Sequence, residues 1–299
     1  MMRIFVAGSS GQVALSLKEA AVRQGIDLIC AGRPEFDLTD TDGMRAAIEA
    51  YGPTAIINAA AYTAVDKAEE EEALATAINA DGAAALAAIA ADLDVPFLHI
   101  STDYVFAGGK EAPYVEDDPT GPTGAYGRSK LKGEEAVMAA NPNAMVFRTA
   151  WVYSPFGKNF LKTMLWLAKT RDELGVVADQ VGNPTYAPDI ADALLAVLAR
   201  IDAGGWKPDY AGVYHLAGTG DVSWHGFAEA IFEAGTAYGL KRPKVNALTT
   251  DQYPTPAKRP ANSRLDCSKL GETFDVHLPS WEQSMLSCVN RLSEAGELS

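Results

Sequence analysis

The stretch FVAGSSGQVALSL, residues 5 to 17, joins a short apolar run to a helix-forming segment through a glycine turn. Its glycines are Gly8 and Gly11, and Ala14 stands where a third glycine is often found. This order places backbone N–H groups at a helix N-terminus, where a pyrophosphate is favoured. The stretch therefore predicts a strand, a turn and a helix suited to a dinucleotide, although glycine pairs also open many ordinary turns.

The first half of the chain alternates apolar β-type runs with alanine-rich helical segments. The predicted strands are residues 3–7, 27–31, 54–58, 96–101 and 144–149. Such alternation indicates right-handed crossovers and a parallel sheet covered on both faces. We therefore predict an α/β fold with a Rossmann-type, doubly wound sheet, on which the alanine-rich segment 71–93 packs as a helix.

The second half has a looser pattern, with loops rich in proline and glycine. It predicts helices over residues 160–170, 188–201, 224–238 and 280–292. Two short β-type runs, 176–178 and 213–216, are expected to extend the sheet. We expect residues 1–150 to form the dinucleotide-binding domain and residues 151–299 a smaller, interleaved C-terminal lobe that mainly binds substrate, with segments returning to the sheet.

Composition limits the partners of this 299-residue chain. The 25 basic and 39 acidic residues give a net charge of −14, which argues against nucleic acid and against polybasic membrane contact. The cysteines at 30, 267 and 288 are odd in number and lack metal-like spacing, as is typical of a reducing cytoplasm. No run reaches the ~18 apolar residues of a spanning helix. A cytoplasmic protein is predicted.

The segment AYGRSKLKGEEAV, residues 125 to 137, places Tyr126 and Lys130 four residues apart at the start of a predicted helix. This spacing puts both side chains on one helix face. A free phenol has a pKa of about 10, and a neighbouring ammonium group moves it toward neutrality. The pair is therefore a candidate for acid–base catalysis, the alternative being two surface residues in register.

A second candidate is LHISTDYVFAG, residues 98 to 108, which follows the fourth predicted strand. Its hydroxyls at Ser101 and Thr102 lie at the carboxyl end of that strand, where parallel sheets collect ligands. The alternative interpretation is a turn rich in hydrogen-bonding residues.

Together, the glycine turn, the hydroxyls after strand four and the Tyr–Lys spacing resemble the extended short-chain dehydrogenase/reductase superfamily, in the branch that acts on nucleotide sugars. Further stretches are similar to signature segments of the dTDP-4-dehydrorhamnose reductase family. These are residues 57–69, 101–106, 126–134, 147–153, 159–165, 179–185 and 259–266. They span nearly the whole chain. In this branch the last position of the glycine pattern accepts alanine, so that Gly8, Gly11 and Ala14 form a complete fingerprint.

The resemblance implies reduction of the C4 carbonyl of dTDP-4-dehydro-L-rhamnose to dTDP-L-rhamnose, in nucleotide-sugar biosynthesis, with NADPH as cofactor and NADH as its alternative. It also implies the catalytic roles. Tyr126 would protonate the developing alkoxide, and Lys130 would lower the pKa of Tyr126 and bind the nicotinamide ribose. Thr102 would donate a hydrogen bond to the carbonyl oxygen, where negative charge grows.

The resemblance places a further set of residues along the cofactor: Gly8, Gly11, Gln12, Val13, Asp37, Leu38, Ala61, Tyr62 and Thr63. Arg33 stands near the end of the second predicted strand, where an acidic residue would bind a ribose 2′-hydroxyl. An arginine there pairs instead with a 2′-phosphate, which predicts NADPH over NADH. The resemblance assigns to the substrate side Thr102, Asp103, Trp151, Asn159 and Arg259. Trp151 as a core residue and Arg259 as an ordinary ion-pair residue are the alternatives.

Two rival functions share the resemblance, and the first is another enzyme on the same fold, a nucleotide-sugar dehydratase or epimerase. Dehydratases of this branch carry Thr-Asp-Glu, whereas this chain has Thr102, Asp103 and Tyr104, which favours a simple reductase over a dehydratase. An epimerase is harder to exclude because it shares the tyrosine and lysine. A noncatalytic NADP-binding regulatory subunit is the second rival, since one such subunit resembles this family.

Some bacterial members of the family that the chain resembles are dimers bridged by magnesium bound to glutamates. This chain has Ser16 and Pro188 near those places, and the nearby carboxylates are Glu19 and Asp189. Magnesium needs hard oxygen ligands, usually carboxylates, and Glu19 lies almost one helical turn beyond Ser16. We therefore predict no metal site, and either a monomer or a metal-independent dimer.

Overall fold

A computed structural model describes residues 2–298. Its strands are β1 (Arg3–Ala7), β2 (Asp27–Ala31), β3 (Ala55–Asn58), β4 (Phe97–Thr102), β5 (Met145–Thr149), β6 (Val152–Tyr153), β7 (Glu173–Val177), β8 (Val181–Gly182), β9 (Thr185–Tyr186), β10 (Gly212–His215), β11 (Val222–Ser223), β12 (Lys244–Leu248) and β13 (Asn262–Ser263). Its α-helices are α1 (Gln12–Gln24), α2 (Thr41–Tyr51), α3 (Val65–Ala68), α4 (Glu72–Thr76), α5 (Ala83–Asp92), α6 (Ala125–Ala140), α7 (Phe160–Thr170), α8 (Ala187–Gly204), α9 (Trp224–Thr236), α10 (Ser268–Phe274) and α11 (Trp281–Glu294).

The central sheet has six parallel strands in the order β10-β5-β4-β3-β1-β2. From β1 the chain moves outward to β2, then crosses back to place β3 on the other side of β1. The direction of winding therefore reverses between β1 and β3, which opens a crevice at their carboxyl ends. This topology confirms the predicted doubly wound α/β fold.

Helices cover both faces of this sheet, which is why its strands are apolar runs without alternation. On one face, residues of α1, α8 and α10 pack against β1, β3 and β5 in one buried cluster. On the other face, α2, α5 and α6 pack against the opposite side chains of β1, β3, β4 and β5. Ala14 of α1 is fully buried at the first interface, where a small residue allows close approach of helix and sheet.

The alanine-rich segment forms α4, a π-helical turn over Ala77–Gly82, and α5 in unbroken succession. By length and composition this helical stretch, Glu72–Asp92, would be able to cross a membrane, contrary to our expectation that no segment would qualify. Half of its apolar window is buried within the protein, and α5 packs on α6 and the sheet. It is therefore a core helix by its contacts.

The second half of the chain divides between two cores. Helices α7, α9 and α11 surround a separate apolar cluster with β7 and β12 at its edge. The prediction that 176–178 extends the sheet is wrong, because β7 pairs with β12 in a separate two-stranded sheet. The prediction for 213–216 is confirmed, since β10 adds to the edge of the central sheet beside β5. The division at residue 150 stays a prediction.

Candidate active site

The glycine turn after β1 needs its first glycine. Gly8 has a φ of +113°, and an added Cβ would lie 3.2 Å from Ala59 C and Ala60 N at the end of β3. Gly11 is the N-cap of α1, and an added Cβ there would meet open space. Within residues 2–298 no side chain caps this helix, so its first N–H groups remain available. The turn therefore fits a pyrophosphate group.

A cleft of about 350 Å³ continues from this turn along the ends of β1 and β2. Ser9, Gly32 and Arg33 line it, and Arg33 is exposed. Asp37 instead accepts hydrogen bonds from Thr39 N and Oγ1, at 2.9 and 2.8 Å, and these bonds lower its pKa. The side chain of Leu38 is buried in the core. The cleft suits an adenosine with a phosphate at Arg33, whereas Asp37 and Leu38 hold the following loop.

The segment after β3 borders the other side of the crevice. Asn79, in the π-helical turn, holds Tyr62 through both backbone groups: its Oδ1 accepts from Tyr62 N at 2.8 Å, and its Nδ2 donates to Tyr62 O at 3.1 Å. Ala61 and Tyr62 are partly buried, and Thr63 is exposed. The π-helical turn therefore fixes the position of this predicted cofactor segment.

Thr102 and Tyr126 meet at the carboxyl end of β4. Thr102 is the last residue of that strand, and Tyr126 is the second residue of α6, whose first N–H donates to Glu69 Oε1 at 2.8 Å. Burial raises the pKa of Tyr126, and the neighbouring Thr102 hydroxyl opposes the rise. The expected shift of this pKa toward neutrality by Lys130 is not seen, because burial dominates and the Asp103 and Tyr104 side chains add to the rise.

Lys130 lies one helical turn beyond Tyr126, as predicted, and is almost completely buried. Its Nζ donates to Ile100 O at 2.7 Å and lies 3.3 Å from His99 Nε2. Burial lowers the pKa of Lys130 to about 8, while the Glu134 carboxylate opposes this. The amine is therefore held against β4 at the edge of the crevice.

Asp103 follows Thr102 directly and is 3% exposed. Its Oδ1 accepts from Thr102 Oγ1 at 3.0 Å, while Oδ2 is buried and has no hydrogen-bond partner among the described residues. Burial raises the pKa of Asp103 to about 6, while the Ser263 and Thr102 hydroxyls oppose the rise. A buried carboxylate oxygen without a donor suits a ligand hydroxyl.

An ion pair that the sequence did not reveal lies below these residues. Arg148 Nη2 donates to Glu134 Oε2 at 2.6 Å, and Nε donates to Oε1 at 3.0 Å, with both side chains buried. Ser101 Oγ donates to the same Glu134 Oε1. This bidentate pair ties α6 to β4 and β5 and so fixes the helix that carries Tyr126 and Lys130.

Trp151 has a φ of +49°, which is unusual for a bulky residue and requires support from its surroundings. Its ring stacks on Trp224 with centroids 3.5 Å apart, and an added Cβ at Gly182 would lie 2.6 Å from Trp151 Cε2. The backbone N–H of Thr185 donates to Trp151 O at 3.2 Å. The indole is half-buried, so that it is neither a pure core residue nor a free surface residue.

Asn159 and Arg259 have structural partners as well as predicted ligand roles. Asn159 caps α7, where its Oδ1 accepts from Lys162 N at 3.0 Å, and its Nδ2 donates to Gln12 Oε1 at 3.0 Å. The Gln12 side chain is thereby turned toward the second lobe. Arg259 Nη2 pairs with Asp66 at 3.2 Å, whereas its buried Nε lacks a partner among the described residues.

The residues at the expected metal positions have other contacts. Ser16 is buried in α1, and Pro188 lies in the first turn of α8. Arg291 donates to both oxygens of Glu19, at 2.7 and 2.6 Å, and Asp189 accepts from Ser284. Among residues 2–298, no group of three or more His, Cys, Asp or Glu side chains is placed to hold a metal ion.

A pyrophosphate-type turn at the end of β1, together with Thr102 and Tyr126 at the carboxyl end of β4 and Lys130 one helical turn beyond Tyr126, defines a dinucleotide-dependent oxidoreductase of the extended short-chain class. The Lys130 amine itself contacts Ile100 O and His99 rather than Tyr126. The chain belongs to the family described as the RmlD substrate binding domain, which matches residues 2–294. This match confirms the family that the sequence motifs indicated.

The chain is similar to dTDP-4-dehydrorhamnose reductases of several organisms. It is 50% identical to that of Sinorhizobium fredii over 95% of both chains, and 41% identical to that of Escherichia coli K12 over 97% of this chain and 98% of the relative. A crystal structure from Clostridium acetobutylicum has a TM-score of 0.89 at 38% identity, covering 98% of this chain and all of the other. One from Bacillus anthracis, in complex with NADP, has a TM-score of 0.88 at 32% identity, covering 97% of this chain and all of the other.

Proposed function

We propose that this protein reduces the C4 carbonyl of dTDP-4-dehydro-L-rhamnose with NADPH and releases dTDP-L-rhamnose. The observation that carries the proposal is the meeting of Thr102 and Tyr126 at the carboxyl end of β4, on the same edge of the parallel sheet as the glycine turn after β1. Membership of the family and the similarity to named dTDP-4-dehydrorhamnose reductases support it.

NADPH, when bound, supplies the hydride. The backbone around Gly8, Gly11 and Val13 would hold its pyrophosphate, because Gly8 allows close approach and α1 presents free N–H groups. Arg33 would pair with the 2′-phosphate from the mouth of the cleft. Lys130 would donate to the nicotinamide ribose. The loop formed by Ala61, Tyr62 and Thr63 would border the cofactor.

Tyr126 is the proposed proton donor. Burial raises its pKa, so the phenol stays protonated at neutral pH and can give its proton to the oxygen that becomes an alkoxide. Thr102, whose hydroxyl proton is donated to Asp103 Oδ1 here, would turn that proton to the same oxygen as negative charge grows. The reaction balances as one hydride to carbon and one proton to oxygen, which leaves an alcohol and the oxidised cofactor.

The substrate would lie on the second-lobe side of the crevice. Asp103 Oδ2 lacks a partner among the described residues and would accept from a sugar hydroxyl, while the Trp151 ring provides an apolar surface. The unpartnered Nε of Arg259 suits a diphosphate oxygen. Asn159, near Gln12, would act mainly by holding the loop beside that diphosphate.

The wider organisation follows from the same proposal. Residues 1–150 would bind NADP and residues 151–299 would mainly bind substrate. A net charge of −14 supports a protein without nucleic-acid or membrane partners, and the unpaired cysteine thiols suit the cytoplasm.

A coupled assay tests the function. dTDP-4-keto-6-deoxyglucose, a 3,5-epimerase, this protein and NADPH are combined, and both NADPH loss and the product sugar are measured. We expect stoichiometric NADPH loss and dTDP-L-rhamnose, with a lower kcat/KM when NADH replaces NADPH. Cofactor binding without turnover would instead support a regulatory subunit. Sugar isomerisation without net NADPH loss, in a reaction from which the added 3,5-epimerase is left out, would support an epimerase.

A further inference from the structure

A line of three buried polar side chains crosses the sheet beneath the crevice. Asn58 ends β3, His99 lies in the middle of β4, and Lys130 reaches them from α6. Asn58 Nδ2 lies 3.0 Å from His99 Nδ1, and His99 Nε2 lies 3.3 Å from Lys130 Nζ. All three are at most 1% exposed, so each group must find its partner within the protein.

The order of donors along this line follows from Asn58. The N–H of Ala60 donates to Asn58 Oδ1 at 3.1 Å, so the amide oxygen is engaged and the amide nitrogen faces His99. His99 Nδ1 must therefore accept. Burial lowers the pKa of His99 well below its usual range, so the ring is neutral and carries its proton on Nε2.

The Nε2 proton then points at Lys130 Nζ. An ammonium group offers only donors, whereas a neutral amine has a lone pair that can accept. With one N–H donated to Ile100 O, a neutral Lys130 satisfies both contacts and keeps one N–H for a ligand. An ammonium would place two donors face to face in a buried site.

We propose that His99, oriented by Asn58, is a positioning residue that favours the neutral amine of Lys130. The inference deepens the proposed function, because the ammonium form is the one that would assist Tyr126. The line Asn58–His99, together with burial, thereby lowers the pH at which the enzyme loses that form.

The charges around Lys130 oppose one another. Glu134, one turn further along α6, favours the ammonium, but its carboxylate is bound by Arg148 of β5. His99 on β4 is neutral. Burial dominates and brings the pKa of Lys130 to about 8, so a single hydrogen bond moves the equilibrium across the working range. The ammonium is lost as the pH rises through this value, and kcat/KM should fall with it.

Nitrogen NMR of the full chain without added cofactor tests the tautomer directly. With ¹⁵N-labelled histidine, we expect His99 to show an unprotonated Nδ1 and a protonated Nε2 from pH 6 to 9. The His215→Gln variant assists the assignment, because His215 is the other fully buried histidine. A proton on Nδ1 of His99 in this range would overturn the inference.

The variant Asn58→Asp reverses the order of hydrogen-bond donors and acceptors along Asn58, His99 and Lys130, while the shape of the side chain at position 58 is kept. A carboxylate oxygen can still accept from Ala60, but the other can only accept from His99 Nδ1, which leaves Nε2 to accept from a Lys130 ammonium. The added charge acts in the same direction. We expect the basic limb of the pH profile of kcat/KM to move to higher pH by about one unit. A shift of that size corresponds to the free energy of one charge-assisted hydrogen bond.

His215→Gln is the matched control, since it changes an equally buried histidine on β10 and should leave the limb in place. An unchanged limb in Asn58→Asp, or an equal shift in the control, contradicts the inference. If Asn58→Asp does not fold, the tautomer of the wild-type protein decides. If the coupled assay finds no reductase activity, the proposed function is wrong. The NMR measurement of the His99 tautomer still tests the hydrogen bonds between Asn58, His99 and Lys130 in that case.

Discussion

The two sides of the crevice are built in different ways. On the cofactor side, Gly8 follows β1, Thr102 ends β4 and Tyr126 lies in the first turn of α6, so each has its place from its own element, with α6 held by the pair Arg148–Glu134. On the substrate side, the placing contacts come from far along the chain: Trp151 stacks on Trp224, and Arg259 pairs with Asp66.

Because of this difference, substitutions on the cofactor side test the chemical role of a residue, whereas substitutions on the substrate side test how a residue is oriented. A residue placed by backbone geometry keeps its position when its functional atom is removed, so that substitution there tests the chemistry. A residue placed by a distant side chain loses its position when that partner is removed, even though the residue itself is unchanged. The two sides should therefore respond differently to single substitutions, the first in kcat and the second in KM.

The largest effect is expected for Tyr126→Phe, which removes the proton donor and leaves α6 in place. Turnover should fall by a factor on the order of 10²–10⁴, with little change in NADPH affinity. Steady-state kinetics and NADPH titration by fluorescence measure the two quantities. The control is Tyr104→Phe, whose ring meets Tyr126 edge-on with centroids 5.5 Å apart. It should lower kcat much less, and kcat is the quantity compared because the Tyr104 hydroxyl also contacts Arg259. Near-normal turnover in Tyr126→Phe would remove Tyr126 from its role.

A smaller effect is expected for Trp224→Leu, which removes the ring on which Trp151 stacks. An aromatic pair contributes about 0.5–1.5 kcal/mol beyond its buried area, so KM for the nucleotide sugar should rise by about 2- to 10-fold. The kcat should change little, because Thr102, Tyr126 and Lys130 lie on other elements.

Trp166→Leu is the matched control, since Trp166 is an exposed tryptophan of α7 at 61% exposure, and KM should remain as in the wild type. A fall of kcat at constant KM in Trp224→Leu would show that the tryptophan pair does not act on the substrate side.

The same contrast explains what could be predicted from the sequence. The central strands and the residues on the cofactor side could be predicted from patterns within short stretches of the sequence. For example, β1 and β2 lie at the predicted residues 3–7 and 27–31. The segment 176–178 was misplaced because its partner, β12, lies about seventy residues away and no local pattern records that pairing.

Some site residues escaped sequence reasoning for the same physical reason. Trp224 contributes to the site only through its stacking on Trp151, and Arg148 contributes only through its ion pair with Glu134. His99 did leave a local signal, since a histidine within the apolar run FLHIST interrupts a strand that is buried on both faces. A polar residue at such a position needs a buried partner, which indicates a network although it does not identify the partner.

The smallest effect is expected for metal removal. This prediction concerns the contact between α1 in the first half of the chain and α11 in the second. Glu19 of α1 is bound through both oxygens by Arg291 of α11, so its carboxylate already has a cationic partner within the chain. A magnesium ion would have to displace this guanidinium and lose much of its own hydration, with Ser16 and Pro188 offering no carboxylate in compensation. We therefore expect unchanged activity after exhaustive EDTA treatment, and an unchanged mass by light scattering with and without Mg²⁺.

The variant Glu19→Gln, which keeps the shape of the side chain and weakens the ion pair with Arg291, should likewise leave the mass of the protein insensitive to Mg²⁺. A metal-dependent increase in mass, or loss of activity that Mg²⁺ restores, would mean that carboxylates of this surface assemble a metal site between two copies of the chain.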